Sequence, residues 1–129
     1  MDLTYSAEHQ AFRREVLVFL EAHHHAAPKG GGAAQRPSAE AVAWQKLLIA
    51  HGYAARTIPK AYGGYGAAPD ILKSRIIGEE FARAGVPPGL QSQGISMLVP
   101  TLLELGTEDQ KRQWIGPTIR GEVVWCQGY

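Results

Sequence analysis

The strongest candidates for catalytic residues in this sequence are two adjacent glutamates. Glu79 and Glu80 are adjacent carboxylates in a stretch with helical character, and paired carboxylates can serve in acid–base catalysis. Neighbouring residues of a helix point about 100° apart, so the two do not face each other or a shared atom. We therefore expect one to pack near a polar group of the core and the other to be solvated, and we do not expect either to be a catalytic base.

A histidine run and a cysteine are the other residues with chemical potential. His23-His24-His25 looks like a metal cluster, but three consecutive histidines do not share a helical face, and no Cys or carboxylate stands at ligand spacing to them. A solvated, frayed helix end is the expected structure, and no metal site is predicted. Cys126 lies in an apolar run, where a small buried side chain is expected in place of a reactive thiolate.

The composition excludes several classes of function. The chain has 129 residues, a net charge of +1 and evenly spread basic residues, so no basic stripe is available for nucleic acid. The one cysteine permits no internal disulfide. The sequence has neither a signal-peptide layout at its start nor an apolar run of the ~20 residues that a membrane helix needs. These features predict one domain in a reducing, cytoplasmic setting. The sequence contains no phosphate loop, dinucleotide fingerprint or nucleophile elbow.

The apolar spacing predicts an all-α, mostly antiparallel bundle of about five to six helices, with a short C-terminal β-type segment. Caps set the helix starts at Ser6, Ser38 and Thr107, the third helix is expected to start at about Asp70, and Gly52 is expected as a left-handed C-cap. The predicted helices end near residues 23, 52, 84, 104 and 115, and a last stub runs from 117 to 121. The fourth starts near residue 90, and Pro100 should kink or split it.

Loops and core complete the predicted architecture. Residues 26–37 form a Gly/Pro/Ala loop for which we expect high mobility, and residues 53–66 form a structured loop. Apolar spacing places the following residues on inner faces: Phe12, Val16, Phe19, Leu20, Val42, Trp44, Leu47, Leu48, Ile71, Ile76, Ile77, Glu80, Phe81, Leu102, Leu103 and Trp114.

Residues 123–127 are predicted to be extended, and a lone strand cannot satisfy its own hydrogen bonds. We expect this segment to pair with an edge supplied by residues beyond this chain or by another chain, or else to pack loosely on the bundle.

Five short strings, in order and at characteristic spacing, resemble the N-terminal third of the acyl-CoA dehydrogenase family of flavoenzymes. They are Leu3-Thr4-Tyr5-Ser6-Ala7-Glu8, Pro59 with Gly63-Gly64-Tyr65-Gly66, Gly78-Glu79-Glu80, Gly106-Thr107-Glu108-Asp109-Gln110-Lys111, and Gly121-Glu122 before the terminal apolar run. The resemblance implies that residues 1–122 are the helical N-terminal domain and residues 123–129 the start of a middle β domain. Most of these strings are expected to specify the fold and not turnover.

The resemblance also implies a reaction and a site. Members remove hydrogens from the α and β carbons of an acyl-CoA thioester, with a carboxylate base and the N5 atom of FAD as acceptors. The base is expected in a C-terminal region, so no catalytic residue is named in this chain, which should be inactive alone and should not retain FAD. Gln127 and Tyr129 are candidate FAD contacts on one strand face, with plain strand packing as the alternative. The candidate acyl-pocket wall is Gln91, Gly94, Ile95, Leu98 and Val99.

Other readings stay open at this stage. The chain could be a non-catalytic helical subunit or interaction module that completes the flavin site of a partner. It could also belong to acyl-CoA or nitroalkane oxidases, which share this helical domain. The string Trp125-Cys126-Gln127-Gly128-Tyr129 resembles the branch that acts on bulkier acyl groups, including steroid side chains and dicarboxylic acids. The complete enzyme is expected to form homo- or hetero-oligomers and to take an acyl-CoA substrate.

Overall fold

The computed structural model describes residues 6–28, 37–90, 92 and 94–125, and within them the chain is all helical. The α-helices are α1 (Ala7–His23), α2 (Ala39–His51), α3 (Ile71–Ala84), α4 (Val99–Leu105) and α5 (Glu108–Ile119). Two short 3-10 turns (His24–Ala26 and Lys60–Tyr62) and a π-helical turn (Gly94–Leu98) join them. The predicted all-α class is confirmed, and no helix of the described part is long and apolar enough to cross a membrane.

Side-chain caps fix where the main helices begin. The hydroxyls of Ser6 and Ser38 accept backbone N–H groups of the first turns of α1 and α2, and Asp70 does the same for α3. Thr107 and Gln110 form a reciprocal capping box at α5. Each cap satisfies N–H donors that a helix start leaves unpaired, which contributes about 1 kcal/mol. These four predicted starts are confirmed.

The core has two parts. Helix α1 packs along α3, and α2 closes the first cluster of buried residues, which are Phe12, Val16, Phe19, Leu20, Trp44, Leu48, Ile76, Phe81 and Val86. A second cluster joins α2, α4 and α5 through Ile49, Val99, Ile115 and Ile119. Full burial of one such side chain stabilises the fold by about 1.5–3 kcal/mol. The second cluster anchors the region that carries the candidate pocket wall.

Some predicted core positions are wrong. Ile71 is 71% exposed, and Leu72 is buried in its place. The reason is helical register, because Leu72, Ile76 and Glu80 recur at four-residue steps on the inner face while Ile71 faces outward from the first turn. Trp114 is half-buried and does not lie in either core cluster.

The predicted fourth helix is divided into two elements. A π-helical turn runs from Gly94 to Leu98, and α4 follows with Pro100 in its first turn. Proline has no N–H to donate and is tolerated at the start of a helix, where that donor has no partner in any case. The helix type changes just before Pro100, but the backbone at Leu98 stays helical with φ −69° and ψ −46°, so the helix is not broken there. The predicted kink stays a prediction, and the π-helical form of the preceding turn was not predicted.

Helix α5 is longer than predicted. The expected end near Ile115 and the separate stub at Pro117 are wrong, because α5 continues through Pro117 to Ile119. Three residues of its last turns, Ile115, Thr118 and Ile119, are almost fully buried. Their burial outweighs the one backbone hydrogen bond that Pro117 cannot donate.

The sequence analysis also made predictions for the histidine run and for the C-terminal segment. His24 and His25 lie in a short 3-10 turn after α1, and no group of three metal-ligating side chains occurs in the described ranges. Residues 29–36 of the predicted loop lie outside the described residues. Val123 to Trp125 do not form a strand, because no neighbouring strand pairs with them among the described residues, and residues 126 and 127 of the predicted strand lie outside that part.

Candidate functional site

The candidate wall of the acyl pocket begins at the π-helical turn. Gly94 is buried, Ile95 and Leu98 are half-buried, and Met97 is 55% exposed. A π-helical turn is rare and is frequently found at functional sites. Its side chains Ile95, Met97 and Leu98 form an apolar surface that is only partly covered by the rest of the described chain.

The space left by the missing side chain of Gly94 is filled. A Cβ atom added there would lie 2.7 Å from Cδ1 of Trp125 and 2.9 Å from Cγ2 of Thr118. Such distances are too short for carbon atoms, so only glycine fits at this position unless Trp125 moves. The sequence analysis named Gly94 as part of the candidate acyl-pocket wall, and the structure seats the Trp125 indole against it.

Two directional contacts hold the Trp125 indole in place. Its Nε1–H donates a hydrogen bond of 2.9 Å to the hydroxyl of Thr118, a residue that is 1% exposed. Its ring meets the Trp114 ring edge to face, with the centroids 5.3 Å apart and the planes at 79°. Such pairs contribute about 0.5–1.5 kcal/mol beyond the area they bury. Both tryptophans are half-buried, so they form an aromatic surface on the outside of α5.

Val99 supports the wall from behind. It is 1% exposed and packs with Ile115 and Ile119 of α5 in the second core cluster. Of the predicted wall residues in the described part, the structure therefore places Ile95 and Leu98 at an accessible surface, Gly94 beneath Trp125, and Val99 in the core. Gln91, another predicted wall residue, lies outside the described residues, as do the predicted FAD contacts Gln127 and Tyr129.

A residue that the sequence analysis did not single out ties this region together. Gln45 of α2 is 3% exposed; its Nε2–H donates to the Ile119 carbonyl at 2.8 Å and its Oε1 accepts from the Leu90 N–H at 2.8 Å. It thereby links α2 to the end of α5 and to the segment that enters the π-helical turn. The only sequence signal is a glutamine at a buried helical position, one residue after the core residue Trp44.

The glycine loop between α2 and α3 has a structural role. A Cβ at Gly64 would lie 2.2 Å from the Ile58 carbonyl oxygen, so the loop can close only with glycine there. Tyr62 in the same loop donates from Oη to Glu108 of α5, with both oxygens at 2.9 Å. This hydrogen bond raises the pKa of the phenol and lowers the pKa of the carboxylic acid. The loop is thus fastened to the helix that carries Thr118.

The carboxylate pair behaves as the sequence analysis expected. Glu80 is 1% exposed and pairs with Arg13 of α1 and with Arg83 on its own helix. Glu79 is 40% exposed and also pairs with Arg13. Both guanidinium groups meet Oε1 of Glu80, whereas its Oε2 is buried without a hydrogen-bond partner among the described residues, and only the pair with Arg13 crosses from α3 to α1. This arrangement joins the two helices and assigns Glu80 a structural role.

The fold is an all-α bundle, and at the π-helical turn Ile95 and Leu98 give it an apolar surface that the described residues cover only in part. The profile described as "Acyl-CoA dehydrogenase, N-terminal domain" matches residues 6–122. The chain belongs to the acyl-CoA dehydrogenase family.

Individual relatives agree with this assignment. The chain is 34% identical over 128 residues to "Acyl-CoA dehydrogenase IpdE1" of Mycolicibacterium smegmatis, and 36% identical over 127 residues to the protein of that name in Mycobacterium tuberculosis. These alignments cover 95% and 93% of this chain but 32% of each relative. The chain thus spans about a third of the length of the curated relatives it matches.

Solved structures show the same fold. "Tcur3481-Tcur3483 steroid ACAD" superposes with a TM-score of 0.65 at 25% identity, over 96% of this chain and 32% of that one. The ChsE4-ChsE5 complex from Mycobacterium tuberculosis superposes with a TM-score of 0.64 at 22% identity, over 95% of this chain and 30% of that one. The helical arrangement is therefore that of the domain which the family profile describes.

Proposed function

We propose that the chain is the N-terminal helical domain of an FAD-dependent acyl-CoA dehydrogenase, which removes hydrogens from the α and β carbons of an acyl-CoA thioester. The observation that carries the proposal is the family match over residues 6–122, supported by relatives of which this chain spans about a third. The end of that match also supports a boundary between a helical domain, residues 1–122, and the start of a β domain at residues 123–129.

In this proposal the chain binds and positions substrate. The half-buried side chains of Ile95 and Leu98 supply an apolar surface against which an acyl chain packs, and Val99 holds that surface rigid from the core. An apolar wall on a rigid element fixes the orientation of a flexible substrate, which lowers the entropy lost at the reaction step. FAD, when bound to the complete enzyme, supplies the hydride chemistry. Gln127 and Tyr129 are proposed as contacts with it.

Assays of the isolated chain test whether FAD binding and catalysis need groups that lie outside it. We expect the purified 129-residue chain, incubated with FAD and then gel-filtered, to carry no flavin absorbance. We also expect no turnover of short, long, branched or cyclic acyl-CoA thioesters with an artificial electron acceptor. Turnover by the chain alone would refute the proposal that the catalytic groups lie elsewhere. Hydrogen peroxide release by a longer polypeptide that contains the chain would identify an oxidase.

A second candidate function has its own support. One solved relative carries the names of two components, Tcur3481-Tcur3483, and another is titled a complex of ChsE4 and ChsE5. The chain also exposes apolar side chains in the π-helical turn and at the end of α4, namely Met97 at 55% and Leu105 at 78%. These features favour a helical module that completes the flavin site of a partner polypeptide.

Co-expression separates the two candidates. The chain is expressed together with the remaining two-thirds of the Mycolicibacterium smegmatis relative as a separate polypeptide. A stable complex that carries flavin supports the subunit reading. Failure of the two pieces to associate, while a covalent fusion of them binds flavin, supports the domain reading.

A further inference from the structure

Trp125 packs against Gly94, the one residue of the candidate wall that has no side chain. A Cβ atom added at Gly94 would lie 2.7 Å from Cδ1 of the Trp125 indole. Cγ2 of Thr118 fills the other side of the same space. A glycine that is buried beneath an indole leaves no room for substrate at this point. The width of any pocket built on this wall therefore depends on whether the indole stays in place.

The indole is held firmly enough to act as a steric limit. The hydrogen bond from Trp125 Nε1–H ends on Thr118, whose own side chain is fixed by almost complete burial in α5. The edge-to-face contact with Trp114 restrains the ring from a second direction. A side chain with few rotatable bonds and two directional contacts loses little further freedom when substrate packs on it.

The location of the indole connects it to substrate. Gly94 is the first residue of the π-helical turn, and Ile95 and Leu98 of the same turn supply the accessible apolar surface. Trp125 is itself half-buried, so part of the ring faces outward beside this surface. A group that rests on the turn meets the indole at its Gly94 end.

We propose that Trp125 is a specificity-determining residue that plugs the space at Gly94 and limits the width of the acyl group that the π-helical turn accepts. This inference rests on the proposed function. An acyl group that is slim where it meets the Gly94 end of the turn passes beside the indole, whereas a ring or a branch at that end needs the space that the indole fills. The bulkier acyl groups that the string from Trp125 to Tyr129 implies would then carry their bulk elsewhere. Thr118 is the positioning residue that keeps the plug over Gly94.

The test compares two thioesters of equal carbon number. Heptanoyl-CoA and cyclohexanecarbonyl-CoA are assayed with a chimera in which this chain replaces the matching N-terminal part of the Mycolicibacterium smegmatis relative. The readout is the ratio of kcat/KM for the cyclic substrate to kcat/KM for the straight one. Trp125→Ala should raise this ratio by about tenfold or more, the scale at which apolar pockets discriminate size. Thr118→Val, which keeps the shape and removes the hydrogen bond, should raise it by a smaller factor.

A control and a second readout guard against general disruption. Val124→Ala changes an exposed neighbour and should leave the ratio within about twofold of the parent. The second readout is quenching of tryptophan fluorescence by acrylamide. The difference between the parent and Trp125→Phe gives the signal of Trp125. This indole should be shielded from acrylamide in the parent and more accessible to it in Thr118→Val.

Each outcome has one meaning. An active parent whose ratio does not change in Trp125→Ala overturns the plug and leaves the proposed function standing. A Trp125 signal as accessible as that of free tryptophan also overturns the plug. A folded, flavin-bound parent with no turnover of any acyl-CoA thioester overturns the proposed function, and the plug with it.

Discussion

The substitution Gln45→Leu should destabilise the domain strongly even though it replaces a polar residue of the core with an apolar one of similar size. It removes the hydrogen bonds to the Ile119 carbonyl and from the Leu90 N–H, both 2.8 Å long. The Ile119 carbonyl then stays buried without a partner, and the Leu90 N–H is at least partly shielded from water. Each buried backbone group left unpaired costs about 1–3 kcal/mol.

The expected loss of stability follows from these two groups. The better transfer of leucine into the core offsets part of the cost, by about 1–2 kcal/mol. The midpoints of these ranges leave a net loss of about 2.5 kcal/mol in the free energy of unfolding, which is a sizeable fraction of the ~5–15 kcal/mol typical of a domain. The assay is urea unfolding followed by circular dichroism at constant m-value.

A matched control makes this test sharp. Gln113→Leu is the same chemical change at an exposed position of α5 and should alter stability by less than about 0.5 kcal/mol. If Gln45→Leu unfolds at the same urea concentration as Gln113→Leu, the two hydrogen bonds of Gln45, to Ile119 of α5 and from Leu90, do not stabilise the domain, and the reasoning is refuted.

Three further predictions concern other contacts. Gly94→Ala should cost about 1–3 kcal/mol because its Cβ overlaps the Trp125 ring and Cγ2 of Thr118, and adding Trp125→Ala should cost less than it does in the parent because it removes the first overlap; equal melting of Gly94→Ala and the parent would contradict the overlap. Thr107→Ala should cost about 1 kcal/mol in thermal unfolding through loss of the α5 cap, and a loss no larger than that of an exposed serine-to-alanine change on α3, Ser74→Ala, would contradict the capping role. The pKa of Asp70 is lowered by the N–H group of Lys73 and further by His9, so stability should fall as pH drops below about 4. Asp70→Ala should flatten that acid limb of the pH profile, and an unchanged limb would count against the assignment.

The helix starts could be read from the sequence because capping is local. Ser6, Ser38, Asp70 and Thr107 each stand directly before a helical run, and the hydrogen bonds they make reach only two or three residues ahead. Gly52 ends α2 with a φ of 84°, where other residues are strained. Interactions of such short range do not depend on the rest of the fold.

The length of α5 could not be read in the same way. Pro117 is a local signal for a helix end, and it predicted one near Ile115. The burial of Thr118 and Ile119 against other helices overrides that signal, and burial arises only after the bundle is assembled. The same reason explains why the partners of Gln45, 45 and 74 residues away along the chain, were not predicted.

The candidate acyl-pocket wall stays a prediction, which came from the family resemblance of the predicted fourth helix. Two of its residues, Ile95 and Leu98, are half-buried in the structure. The occupant of the space at Gly94 was missed because it comes from a tryptophan more than thirty residues later. Local spacing contains no information about which distant ring fills a gap left by a glycine.

The most direct test of the account is the rate of acyl-CoA dehydrogenation by the chimera in which this chain replaces the matching third of the Mycolicibacterium smegmatis relative. The account predicts that the chimera binds FAD and oxidises the thioesters that the relative itself oxidises, while the 129-residue chain alone oxidises none. A chimera that folds and holds FAD but turns over no acyl-CoA thioester would contradict it.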